Sequence, residues 1–88
     1  MKIKFENKFL KDLKYLDSGI SLKLKNIILD IEKLNNTKDI KNIKKMVWYK
    51  FYYRIRIWEY RLWFKITSDN ECIFQRIKHR KDIYKIFP

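Results

Sequence analysis

The 88-residue chain carries one glycine, one proline, one cysteine and one histidine. With only Gly19 and Pro88 there is no flexible linker, so residues 1–88 read as one domain. A lone Cys72 excludes an internal disulfide, and one cysteine with one histidine is too few for a structural zinc site of N and S ligands. No apolar run approaches the roughly 18 residues of a membrane span. The opening MKIKFENKFLKDLK is charged throughout and lacks the apolar core of a signal peptide, so a cytoplasmic location is expected. Acidic residues are also scarce: ten Asp and Glu face 22 Lys and Arg, a formal net charge of +12. That balance points to a polyanionic partner, whether nucleic acid, an acidic protein or an anionic membrane surface. The few carboxylates are scattered, with Asp12, Asp30 and Glu32 at positions that read as solvated, and no P-loop, Ser-His-Asp order or HExxH is present.

The texture changes near residue 46. Residues 1–44 hold 11 Lys and no Arg, whereas all five Arg and 12 of the 15 aromatics lie beyond residue 47. The first half reads as a short strand over 2–6 followed by a helical hairpin from about 8 to 35. Phe9, Leu13 and Leu16 fall at helical spacing, Asp17 and Ser18 suit a cap, and Ile20, Leu24, Ile27, Ile31 and Leu34 form an apolar stripe. Residues 37–45 read as a helical turn or a loop. The second half reads as three strands over 48–57, 60–67 and 71–78, with a short helix or tail at 81–87 whose Ile83, Ile86 and Phe87 face inward. The expected fold is α+β, in the order β-α-α-β-β-β-(α), with the helices on one face of an antiparallel sheet.

Period-two alternation then sorts the strand residues. Phe51, Tyr53, Ile55 and Ile57 share one side of the first long strand, opposite Lys50, Tyr52, Arg54 and Arg56. Tyr60, Leu62, Phe64 and Ile66 share one side of the next, opposite Arg61, Trp63 and Lys65. If helices cover one side, the basic side meets solvent or a partner. Guanidinium forks for phosphate and rings for bases suit RNA there. A charged outer face also serves solubility alone. The absence of an acid among those strand residues and the confinement of arginine to this half favour binding. Cations on a sheet face, rather than along an amphipathic helix, count against a membrane surface.

Single residues stay open on this reading. His79 is either a surface histidine or a proton-transfer group. Tyr84 either packs on the core or meets a base or a proton. Cys72 reads as inert filler. Trp58 is either a capping aromatic or an exposed contact residue.

Three segments, KFLKDLKYL, YYRIRIWEYRLWFKI and RIKHRKDIYKIF, together resemble the RelE/ParE superfamily of type II toxin–antitoxin toxins over nearly the whole chain. The RelE-like, RNA-cleaving branch is the more similar, most specifically through YRIRI-x₂-YR followed by HRKDIY. The resemblance implies a RelE-like fold and entry into the ribosomal A site. It also implies mRNA cleavage with the neighbouring 2′-hydroxyl as nucleophile, without a metal or cofactor. It places the basic strand pair at Arg54 and Arg56, the transition-state arginine at Arg61, the C-terminal arginine at Arg80, and a base-stacking or proton-handling tyrosine at Tyr84. The general base is left to His79, Tyr84 or a group of the ribosome or substrate, with His79 favoured. Lys50, Tyr52, Trp63, Lys65, Arg76 and Lys78 are the expected RNA contacts. The expected partners are an acidic antitoxin, the ribosome and mRNA. One departure stands out: the family places Gly before the acidic residue of the hairpin turn, and here that position is Trp58. Gly tolerates positive φ and Trp does not, which predicts a wider turn and a shifted Arg61. The rival readings are a ParE-like gyrase inhibitor and a non-catalytic RNA- or ribosome-binding module.

Overall fold

The computed structural model describes residues 1–47 and 49–86, apart from the side chains of Tyr84 and Ile86. The elements are β1 (Lys2–Phe5), α1 (Asn7–Asp12), α2 (Ser18–Lys33), β2 (Ile43–Lys45), β3 (Tyr52–Ile57), β4 (Tyr60–Ile66), β5 (Glu71–His79) and α3 (Arg80–Ile86), with 3₁₀ turns at Leu13–Tyr15 and Thr37–Asp39. The stripe on α2 behaves as its spacing predicts: Ile20, Leu24 and Ile31 are buried, with Ile27 and Leu34 packed beside them. Asp17 is the N-cap, accepting the Ile20 N–H at 2.9 Å, which satisfies one of the donors a helix start leaves open.

The five strands form one sheet in the order β1-β5-β4-β3-β2. Two features correct the expected four-strand, antiparallel sheet. β1 runs parallel to β5, with Ile3 opposite Cys72 and Phe5 opposite Phe74, because the two helices carry the chain across before the hairpins begin. Residues 43–45, read as turn or loop, form edge strand β2 against β3; three residues are too few for a period to be visible. The first long strand also begins later than expected. Phe51 has a φ of 68° and is 56% exposed, so the extended run starts at Tyr52 and Phe51 leaves the apolar face. Trp48 and Phe87, and the side chain of Ile86, lie outside the described residues.

The main core lies between α1, α2 and one side of the sheet, with Phe9, Ile20, Leu24, Ile55, Ile57, Leu62, Phe64, Phe74 and Ile77 at its centre. Phe74 meets both Phe9 and Phe64 at ring-centroid distances of 5.6 Å, a geometry that adds about 0.5–1.5 kcal/mol per pair beyond burial. Burial pushes the Cys72 thiol up to about 12, against a small opposing effect of the N-terminal charge, in keeping with inert filler. No helix among the described residues is long and apolar enough to cross a membrane.

The β3–β4 connection is tight. Ile57 stands opposite Tyr60 and Arg56 opposite Arg61, leaving two turn residues, Trp58 and Glu59. The wider turn expected from Trp58 does not form; instead Trp58 takes a φ of 53°. Its ring lies over the first turns of α2, 5.0 Å from the Lys23 ammonium and 3.9 Å from the Cβ position of Gly19. Trp58→Gly is expected to be more stable than Trp58→Ala by about 1 kcal/mol, since both lose the ring and only Ala keeps the left-handed penalty. Equal melting temperatures for the two variants would refute a left-handed residue 58.

Candidate nucleic-acid interface

Residues directly opposite on neighbouring strands point to the same side of a sheet, so the register builds the outer face row by row. One row runs Lys44, Arg54, Trp63, Arg76, and the next runs Arg56, Arg61, Lys78. A third joins Tyr52, Lys65 and Ile73. Uninterrupted alternation from the buried Cys72 and Phe74 would have turned Arg76 and Lys78 into the core. A bulge between Trp63 and Phe64 prevents this: Trp63 pairs with Arg76 and Phe64 with Phe74, and the extra residue, Gln75, switches the phase of β5. The same switch turns Ile77 inward, where it joins the core.

The outer face is not bare, which corrects the expectation of helices on one side only. Arg61 is 7% exposed and Trp63 3%. Trp63 and the fully buried Ile83 both stand outside the main core cluster, and α3 packs against β5 and β4, covering the second face at that point. Trp63 is therefore no open stacking ring. Arg61 donates from Nη1 to the carbonyls of Trp58 (3.1 Å) and Tyr60 (3.0 Å), and its buried Nε has no hydrogen-bond partner. In this state its guanidinium ties together the turn that precedes it.

Nor is the face without acids. Asp12, expected in solvent, is 4% exposed. It accepts from Arg76 Nε at 2.9 Å and Nη2 at 3.0 Å and from the Ile77 N–H at 3.1 Å, and it lies 3.4 Å from Lys78 Nζ. Burial works to raise the Asp12 pKa. The hydrogen bonds from Arg76 and Ile77 and the charges of Arg76 and Lys78 together outweigh it and hold the carboxyl below its ordinary value. Glu71 does the same for the neighbouring edge, at 2.9 Å from Lys4 and 3.9 Å from Lys2. Arg76 and Lys78 thus sit on the outer face, but their charge is already engaged.

The remaining expected residues divide clearly. Arg54 and Arg56 lie side by side on β3, Arg56 exposed, and Lys65 is half-buried on β4 beside Tyr52. Lys50 is exposed but precedes the strand. Arg80 opens α3 and meets Glu59 through its guanidinium (2.8 Å) and its N–H to the Glu59 carbonyl (2.7 Å), which brings it to the Arg61 turn. The Tyr84 side chain lies outside the described residues. His79 is not with the arginines: it stands opposite Tyr60, a core-side residue, with ring centroids 5.5 Å apart, and its Nδ1 accepts the Lys81 N–H.

Sequence reasoning missed Asp12 and Lys44. Asp12 had a signal, since it falls three residues after the buried Phe9 on the inner face of its helix. Lys44 had none until β2 was known to exist. Among the described residues, no three His, Cys, Asp or Glu side chains gather to hold a metal ion.

Against known proteins, residues 3–84 match the family described as the ParE toxin of the type II toxin–antitoxin system, parDE. The chain is 42% identical over 89 residues to Toxin RelE3 of Methanocaldococcus jannaschii, covering 100% of both. Its structure superposes with a TM-score of 0.84 on the RelB–RelE antitoxin–toxin complex from Methanococcus jannaschii, at 38% identity, covering 97% of this chain and 99% of that one. The isolated E. coli RelE toxin shares the fold at a TM-score of 0.70 and 15% identity, covering 98% of each chain. The register that groups Arg54, Arg56 and Arg61, the whole-length identity and the family match converge: this chain belongs to the ParE/RelE family of type II toxin–antitoxin toxins and is a RelE-like toxin.

Proposed function

We propose that the chain is a ribosome-dependent endoribonuclease that cuts mRNA in the A site without a metal. The observation that carries this reading is the grouping of Arg54, Arg56 and Arg61 on one side of β3 and β4, with Arg56 directly opposite Arg61. Attack of a 2′-oxygen on the adjacent phosphorus forms the P–O2′ bond and breaks the P–O5′ bond. The products are a 2′,3′-cyclic phosphate and a 5′-hydroxyl. Negative charge builds on the phosphorane oxygens, and positioned cations aimed at that charge supply much of the acceleration. Arg54 and Arg56 receive the phosphates, Arg61 stabilises the phosphorane, and Arg80 at the same end of the sheet supports the leaving side. Arginines hold their protons too tightly to act as the base. The 2′-OH proton therefore goes to Tyr84 or to a group of the ribosome or substrate, and the departing O5′ takes up a proton from that same set of groups or from water; His79, on the core side, takes no part.

The partner in this reading is an acidic antitoxin. The similar M. jannaschii structure is an antitoxin–toxin complex, and a +12 chain attracts an acidic segment with fast, salt-sensitive association. The site of action is the cytoplasm, where ribosomes are. Primer extension on an mRNA in a purified translation system tests the nuclease. New 5′ ends confined to translating samples are expected. Intact mRNA with blocked gyrase supercoiling would move the chain to the ParE-like activity, and intact mRNA with active gyrase would leave a binding module.

A further inference from the structure

The outer face of the sheet is electrically lopsided. Towards β1 and β5 its cations are matched by carboxylates, Lys2 and Lys4 by Glu71 and Arg76 and Lys78 by Asp12. Towards β2 and β3, Lys44 lies directly opposite Arg54 and Arg56 directly opposite Arg61. Like charges in directly opposed positions destabilise a sheet by themselves. Among the described residues neither Lys44 nor Arg56 makes an ion pair. On this same side Asn42, Ile43, Lys44, Arg54 and Arg56 line an open groove of about 560 Å³.

From this asymmetry we infer that the groove over β2 and β3 is the track of the RNA backbone, with Lys44 and Asn42 as binding residues beyond the cleavage site. The inference rests on the nuclease reading and adds a direction to it: the strand leaves the arginines towards β2, not towards β5. Arg54 and Arg56 are two residues apart on one strand, about 6.6–6.8 Å along it, a spacing suited to successive phosphates of an extended chain. Lys44, directly opposite Arg54, stands one strand to the side of that pair, a point charge that would turn the next phosphate towards β2. Asn42 is exposed at a φ of 61°, a conformation Asn tolerates, and its amide offers both donor and acceptor to a 2′-hydroxyl. An acidic protein segment would also find positive charge here. Among the described residues, however, the groove has Ile43 as its one apolar lining residue and no aromatic, which does not supply the pocketed anchors on which protein interfaces depend.

The test is the salt dependence of binding to a short fluorescein-labelled single-stranded RNA. Loss of one phosphate contact lowers the slope of log K against log salt by about 0.7. Lys44→Ala is expected to show that loss. Lys44→Glu should weaken binding about tenfold or more near 0.1 M salt, and Lys4→Ala should leave the slope unchanged. Lys4 and Lys44 are both exposed on edge strands, so all three variants stay folded, and the two Lys44 variants, which relieve the opposition to Arg54, melt no lower than wild type. An unchanged slope in Lys44→Ala, with Arg54→Ala and Arg56→Ala both flattened, would overturn the track and leave the nuclease standing. Weakened capture of an acidic antitoxin peptide by Lys44→Glu, with RNA binding intact, would overturn it in favour of a protein partner. If wild type cuts no mRNA yet Lys44→Ala still loses slope, the nuclease reading fails and the groove survives as an RNA-binding site.

Discussion

Arg61→Ala is expected to slow mRNA cleavage by about 10²–10³-fold, the usual cost of removing one donor aimed at developing negative charge. It is also expected to destabilise the fold by about 1–3 kcal/mol, because the side chain is buried and its Nη1 holds the Trp58 and Tyr60 carbonyls. The two effects separate with Arg61→Lys. An ammonium keeps the charge and can still reach a carbonyl, but it loses the planar fork. The lysine variant should therefore recover most of the melting temperature and little of the single-turnover rate. Cleavage that follows stability across both variants would make Arg61 a brace for the hairpin and nothing more.

Local chemistry was legible in the sequence wherever a period ran long enough. The α2 stripe, the Asp17 cap, the β3–β4 pairing and the inward set Ile55, Ile57, Leu62, Phe64 and Ile66 all follow from spacing and residue type. What escaped was decided by partners distant in the chain. A parallel β1 cannot be read from five residues, because its partner lies 69 positions away. The cover over Arg61 and Trp63 depends on α3, and alternation within a strand says nothing about what lies above it. The width of the hairpin turn was misjudged for an energetic reason. Left-handed φ at Trp58 costs roughly 1–2 kcal/mol; against it stand the ladder pairing of two long strands and the Trp58–Lys23 contact, itself worth about 0.5–1 kcal/mol at an exposed site. Among the candidate site residues, Arg54, Arg56 and Arg61 were grouped correctly by face. The side taken by His79 was not legible, because it is set by the bulge at Gln75, which no alternation pattern announces.

Asp12→Ala should be among the most damaging single substitutions in the chain, at about 3–5 kcal/mol out of the roughly 5–15 kcal/mol that stabilises a domain. The carboxylate closes three connections at once: the bidentate bond to Arg76, the charge of Lys78, and the Ile77 N–H on β5 beyond the end of β1. Removing it leaves a buried backbone donor unpaired and two crowded cations without a counter-charge. The pH dependence follows from its lowered pKa. The folded carboxyl binds its proton less readily than the unfolded one, so its contribution is fully present above the ordinary value of 3.8 and is lost as pH falls below it through the folded pKa. Urea melts of wild type and Asp12→Asn should therefore differ at pH 7 and converge as the pH falls below 3.8. A gap that persists unchanged in acid would show that shape, not charge, makes the contact. The same variant has a second expected result in the opposite direction. A neutral amide at this position no longer offsets the charges of Arg76 and Lys78, so RNA binding should become steeper in salt by about 0.7 for each cation released. Together the two measurements would show Asp12 to be both a strut between α1 and β5 and the group that withholds this edge of the sheet from RNA.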